Sequence, residues 1–254
     1  MLLMKRQKFE LLVLLVIYCL GSYNKVTAQE FFISEEDFYD QDIDQFNYIS
    51  DPFERVNRSI FRINDIIYSN IIQPLADTYR LVTPDLIEEG ASNFFYNVNY
   101  PIRLVSNLLQ GRFRGIWVET VRFTINSTIG IVGIACPADN IDGFSPVKAE
   151  DLGQAFGALG INEGPYLVLP LLGPSNLRDL GGLITDRAIN PLKEPSSLID
   201  DWAWESRLSI NGFDFANNSS DFLRQYNQLK DGAIDPYSSI KNGFTQYRRA
   251  LITE

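Results

Sequence analysis

The chain has 254 residues, with 22 Lys and Arg against 32 Asp and Glu, a formal net charge of −10 and no histidine. Such an acidic balance excludes a general nucleic-acid binder, which needs a basic surface to displace counterions from phosphate. The missing histidine removes every His-based triad, the usual general base and the commonest metal ligand.

In chain order, Lys5, Arg6 and Lys8 precede an apolar run from Leu11 to Leu20, and Val26-Thr27-Ala28 has the pattern of a cleavage site. This three-part pattern predicts a signal peptide over 1–28, cut between Ala28 and Gln29. The apolar run is too short to span, since ten helical residues cover about 15 Å of a hydrocarbon core about 30 Å thick. A lipoprotein signal acylated at Cys19 is the alternative, weakened by Tyr18 where a small residue belongs. Cleavage leaves one cysteine, Cys136, which without a histidine to activate it reads as a packed side chain. Residues 29–54 carry Glu30, Glu35, Glu36, Asp37, Asp40, Asp42, Asp44, Asp51 and Glu54 and no Lys or Arg. Self-repulsion and few aliphatics make 29–50 a disordered acidic leader, and order is expected over 51–254.

Asp51-Pro52-Phe53-Glu54 has the form of a helix start, with Asp51 as cap and Glu54 closing a capping box. Val56, Ile60, Ile63, Ile67 and Ile71 then predict an amphipathic helix of about five turns, ended by Pro74. Further helices are expected over 92–99, 101–110, 114–129, 150–159, 175–189, 198–210, 219–229 and, from a second Asp-Pro start at Asp235-Pro236, to the end. The stretch 130–146, with its glycines and prolines, reads as an irregular loop. Between Gly164 and Pro174 the chain is apolar and broken by Pro170, which suits an extended hairpin arm or a buried edge strand. Gly153, Gly157, Gly160 and Gly164 recur at spacings of 4, 3 and 4, which permits close backbone approach or hinge motion.

No nucleophile elbow, P-loop, zinc motif or cysteine pair is present. Adjacent carboxylates such as Glu88-Glu89 diverge on a helix, and no nucleophile, base and orienting group can be assembled. The expectation is therefore a non-enzyme with no cofactor, metal or catalytic residue.

The motifs themselves resemble a known family. Asp51-Pro52-Phe53-Glu54-x-x-Asn57-Arg58-x-x-Phe61-x-x-Asn64 is similar to the opening motif of the MlaA/VacJ family, continued by Pro74, Tyr79-Arg80, Pro84, Gly90-x-x-Asn93-Phe94 and Asn107-x-Leu109-Gln110-Gly111. The resemblance runs on through Arg122-Phe123-x-x-Asn126, Glu150-Asp151-Leu152-Gly153-Gln154, Gly164-Pro165-Tyr166, Gly173-Pro174-Ser175, Arg178-Asp179 and Asp235-Pro236-Tyr237 to Tyr247-Arg248-Arg249. It implies a mainly α fold: a ring of amphipathic helices lying in the inner leaflet of the outer membrane around an amphipathic channel. It implies removal of misplaced phospholipid from the outer leaflet, handover to a periplasmic lipid carrier, association with a trimeric porin, and no nucleic-acid partner. Asn162 stands where the family's hinge usually has a second glycine.

On that basis the channel hinge and hairpin are expected at Gly153, Gly157, Gly160, Gly164, Pro165 and Tyr166. Membrane-facing apolar groups are expected at Leu167, Val168, Leu169, Leu171, Leu172, Phe61, Ile67 and Ile71. Asn57, Asn64, Asn107 and Asn126 are the candidates for a polar lumen. A soluble periplasmic adaptor, with the apolar stripes forming its core, is the competing reading.

Overall fold

The computed structural model describes residues 49–145, 150–199 and 201–253. The signal peptide, its Ala28/Gln29 junction, Cys19 and the acidic leader up to residue 48 lie outside them. The elements are α1 (Glu54–Ile67), a π-helical turn (Tyr68–Ile72), α2 (Gln73–Val82), α3 (Asp85–Val98), α4 (Tyr100–Leu109) and α5 (Phe113–Thr128). A 3₁₀ turn (Pro137–Asn140), α6 (Leu152–Ala158), strands β1 (Tyr166–Leu169) and β2 (Gly173–Asn176), α7 (Leu177–Ile189), α8 (Trp204–Lys230) and α9 (Pro236–Thr253) follow.

Three local expectations need correction. Asp51 does not cap α1: its carboxylate is drawn to Asn57, Tyr237 and Lys241, and Glu54 reaches forward to Arg58. Pro74 does not end the first helix. The Gln73 N–H bonds back five residues to the Tyr68 carbonyl, so the wide turn lets Pro74 enter at the start of α2, where a missing N–H costs nothing. The two helices expected over 198–229 are one, α8, of 27 residues. Its apolar stripe lapses at Asn217 because that side chain is buried against polar partners, accepting from Tyr79 at 2.6 Å and donating to Ser92 at 2.7 Å.

Helix contacts close on themselves: α8 packs on α3, α3 on α4, α4 on α6, α6 on α9 and α9 back on α8. The fold is thus mainly α and ring-like. α2 lies along α8, α7 along α6, and the hairpin sits between α1 and α9. One apolar cluster joins Tyr68, Ile72 and Ala76 to Leu223, Tyr226 and Ile240, and a second joins Tyr166, Val168 and Tyr237. No described helix is long and apolar enough to cross a membrane.

Beside these apolar clusters, several helices turn aliphatic side chains outward and polar ones inward. On α1, Asn57 and Asn64 are buried, while Val56, Ile63 and Ile66 are 57%, 56% and 62% exposed. Leu81, Val82, Leu86 and Ile87 stand out at the α2–α3 corner, Phe113 and Trp117 on α5, and Ile129, Ile131, Val132 and Ile134 beyond it. Inside are the ion pairs of Arg103 with Glu119 and of Arg248 with Asp151 and Asp179.

Candidate functional site

The hairpin pairs Tyr166 with Asn176 and Leu169 with Gly173 in antiparallel register. Pro170 falls in the connecting loop, where its missing N–H breaks no ladder, and Leu171 takes a left-handed backbone (φ 64°). The other edge of β1 would be an open row of backbone groups, and α1 covers it with side chains. Asn57 donates to the Tyr166 carbonyl at 3.0 Å and accepts from the Val168 N–H at 3.0 Å. Two turns later Asn64 donates to the Leu169 carbonyl at 2.9 Å and accepts from the Leu171 N–H at 2.8 Å. The Tyr68 hydroxyl then donates to the Leu171 carbonyl at 2.9 Å, and the Tyr166 N–H reaches the Ser50 carbonyl at 2.8 Å. An amide side chain has the same donor and acceptor as a peptide group, so the spacing of seven residues on one helix face imitates a neighbouring strand.

The segment expected to form the hinge leaves and returns to a single clamp. Asp151 caps α6, accepting the Gln154 N–H at 2.7 Å, and Asn176 caps α7, accepting the Asp179 N–H at 2.8 Å. The buried Arg248 guanidinium bridges both helix starts, donating to Asp151 at 2.6 and 2.9 Å and to Asp179 at 2.8 Å. One residue on, Arg249 donates to Glu163 within the hinge turn at 2.6 and 3.2 Å. The four glycines divide into two kinds. Gly153 lies inside α6, where a Cβ would meet Arg248 and Asp179 at 2.8 Å, and Gly157 lies where one would strike Ile252 at 2.4 Å. Gly160 and Gly164 have positive φ, 86° and 68°, and supply the turn between helix and hairpin.

Electrostatics hold the clamp. Burial opposes ionisation of Asp151, but the Arg248 charge and its hydrogen bonds prevail and keep the carboxyl below its usual range. Asp186 is the reverse: burial, with the nearby Asp151 charge, pushes it up to about 8, against a hydrogen bond from the Leu152 N–H. A carboxyl with a raised folded pKa favours the fold fully below its unfolded value, about 3.9, and loses that contribution as pH rises to about 8. Asp186→Asn keeps the acceptor without the charge. It is expected to raise stability near pH 8 and to flatten the pH slope between about 4 and 8. Thermal unfolding in mild detergent across that range checks this, and an unchanged slope would refute it.

The structure brings Asn57, Asn64, Phe61, Tyr166, Val168, Leu169 and Leu171 together. It does not gather the four asparagines on one lumen. Asn57 and Asn64 are spent on the hairpin backbone. Asn107 donates to the Arg103 carbonyl at 2.8 Å against α5, and Asn126 accepts the Ala138 N–H at 3.1 Å to hold the 3₁₀ turn. All four are buried: Asn57, Asn64 and Asn126 meet backbone groups of other elements, and Asn107 bonds within its own helix. Among the apolar candidates, Ile71 is exposed, Leu167, Leu169, Leu171, Leu172, Phe61 and Ile67 are half-buried, and Val168 is buried. Val168 turns inward because it alternates with Leu167 along β1 and packs with Tyr166 and Tyr237. Pro165 is half-buried and accepts the Leu177 N–H at 3.2 Å. The clamp residues Asp151, Asp179, Arg248 and Arg249 were not proposed as site residues. Their signal was their place in the motif stretches that carry the resemblance.

Comparison with known proteins identifies the family and the fold. A model of the MlaA lipoprotein family matches residues 49–251. An uncharacterised protein of Rickettsia bellii is 28% identical over 247 residues, covering 95% of this chain and 92% of its own. The intermembrane phospholipid transport system lipoprotein MlaA of Shigella flexneri is 32% identical over 208 residues, covering 78% of this chain and 76% of its own. A solved chain, from work on the structural basis for maintenance of bacterial outer membrane lipid asymmetry, superposes with a TM-score of 0.64 at 26% identity. That match covers 80% of this chain and 99% of the other. With its family match running from the first described residues through almost the whole of α9, the chain belongs to the MlaA lipoprotein family.

Proposed function

We propose that the protein is the outer-membrane component of a phospholipid transport system. It lies in the inner leaflet, takes misplaced phospholipid from the outer leaflet and passes it to a periplasmic lipid carrier, with a trimeric porin as its membrane partner. The export signal, with cleavage between Ala28 and Gln29, would bring it to the envelope. The observation that carries this reading is the arrangement of the ring, with aliphatic side chains turned outward and asparagines and ion pairs turned in. Hydrocarbon stabilises such an exterior, whereas water penalises it by about 25 cal/mol per Å² of apolar surface. A soluble adaptor is disfavoured for the same reason, since Val56, Ile63 and Ile66 do not form its core.

The names of the relatives, a phospholipid transport lipoprotein and a lipid-asymmetry structure, support the same role. Lipid movement through this chain needs no chemistry from it, and the hinge around Gly160 and Gly164 with its hairpin gates access. Cysteines at 163 and 249, whose native side chains already meet, can be joined by a cleavable cross-linker in a Cys136→Ser background. Transfer of outer-leaflet phospholipid to the carrier should stop on cross-linking and return on reduction. Unchanged transfer in the cross-linked protein would overturn the gating role.

A further inference from the structure

The segment 129–135, after α5, has a part that the hinge and hairpin do not explain. Ile131 and Val132 hold consecutive left-handed backbones, φ 54° and 59°, and Gly133 follows at 91°. β-branched residues avoid that region because Cβ crowds the carbonyl, so the surrounding structure must impose it. It does so from beneath. Asn97 donates to the Ser127 hydroxyl at 2.8 Å and to the Val132 carbonyl at 3.4 Å, and Asn93 donates to the Ile134 carbonyl at 3.3 Å. The strain keeps Ile129, Ile131, Val132 and Ile134 pointing outward, between 52% and 71% exposed.

Two further features decide what such a tip meets. Its backbone turns its polar groups back on itself: the N–H groups of Ile129, Gly130, Val132, Gly133, Ile134 and Ala135 all donate to carbonyls of residues 125–131. Irregular backbone in hydrocarbon requires such pairing, since no water is there to meet its polar groups. There is also no charged residue between Asn126 and Asp139. The apolar surface continues onto α3, where the Ile134 methyl lies against Gly90, one turn from the exposed Leu86 and Ile87.

We propose that the 129–134 tip is a membrane wedge, inserted among lipid acyl chains and anchoring the α3–α5 side of the ring at depth. The inference rests on the inner-leaflet reading above and assigns it a specific anchor. Nitroxide labels at Ile131→Cys and Val132→Cys, each with Cys136→Ser, are compared with one at Ile63→Cys on α1. All are reconstituted in vesicles of phosphatidylethanolamine and phosphatidylglycerol. Collision with oxygen should exceed collision with a water-soluble nickel chelate at all three positions. A lipid-like Ile63→Cys label beside nickel-accessible labels at 131 and 132 would overturn the wedge and leave the membrane reading standing. Nickel access at all three would overturn both. Labels at 131 and 132 that meet neither reagent once a trimeric porin is added would overturn the wedge in favour of a protein interface. The double variant Ile131→Asp/Val132→Asp should lower vesicle partitioning by about tenfold, with helix content unchanged by circular dichroism. Undiminished partitioning would again overturn the wedge.

Discussion

Replacing Arg248 with methionine should destabilise the protein by about 3–5 kcal/mol, the cost of leaving the buried Asp151 charge without its partner, while Asp179 keeps Arg178. The guanidinium is 2% exposed and neutralises both Asp151 and Asp179. Methionine fills similar volume, so lost packing is the smaller part of the effect. In the native protein Asp151 ionises below its usual range because Arg248 is present. Its contribution is therefore complete above about pH 3.9 and lost as pH falls through the folded value. With Arg248 gone, only the Gln154 hydrogen bonds still oppose the effect of burial on Asp151, so its pKa should rise and the variant's deficit should shrink as pH is lowered from 7.5 to 4.5. Thermal unfolding at the two values checks this, and a deficit independent of pH would mean that packing alone is involved. Arg248→Lys should recover little, since a point charge cannot bridge two carboxylates as a planar fork does. The clamp pins both ends of the excursion that contains hinge and hairpin, so loss of lipid transfer should accompany loss of stability.

The helical character of the chain was legible because periodicity is a local signal. The stripe from Val56 to Ile71 shows in the sequence, as does an extended apolar segment between Gly164 and Pro174. What the stripe faces does not show there. Val56 and Ile63 point out and Asn57 and Asn64 point in, and a periodic pattern gives an amphipathic helix without saying which side meets solvent. Pro74 misled for a related reason. Proline breaks a regular α-helix, but the π turn at Tyr68–Ile72 places it at a helix start, and that turn is stabilised by Tyr68 and Ile72 packing on α8 and α9. The gap expected in α8 is filled by contacts of Asn217 with Tyr79 and Ser92, more than a hundred residues away. Likewise, the polarity of Asn57 and Asn64 does not reveal their partners, which are hairpin backbone groups far along the chain.

The asparagine ladder makes the second large prediction. Asn64→Leu leaves the Leu169 carbonyl and the Leu171 N–H without their partner, and Asn57→Leu does the same to the Tyr166 carbonyl and Val168 N–H. At about 1–3 kcal/mol for each buried unmet group, each substitution, which leaves two, should cost about 2–6 kcal/mol. Exchanging the amide for a carboxylate separates hydrogen bonding from shape. Asn64→Asp still accepts from the Leu171 N–H but faces the Leu169 carbonyl with a second acceptor, so it should lose most of the same stability. Hydrogen exchange gives the sharper readout. The Val168 and Leu171 amides are protected by side chains of α1 rather than by the partner strand, so Asn57→Leu should accelerate exchange at Val168 first and Asn64→Leu at Leu171 first. Amides that pair across the hairpin should respond less, because β2 is still in place. Unaltered exchange at both positions would show that the ladder does not hold the hairpin. If the ladder does hold it, freeing the hairpin from α1 while Arg248 still pins its base gives a flap with one edge loose. Lipid transfer by these variants would then report whether the gate needs its hairpin seated against α1 or only anchored at the hinge.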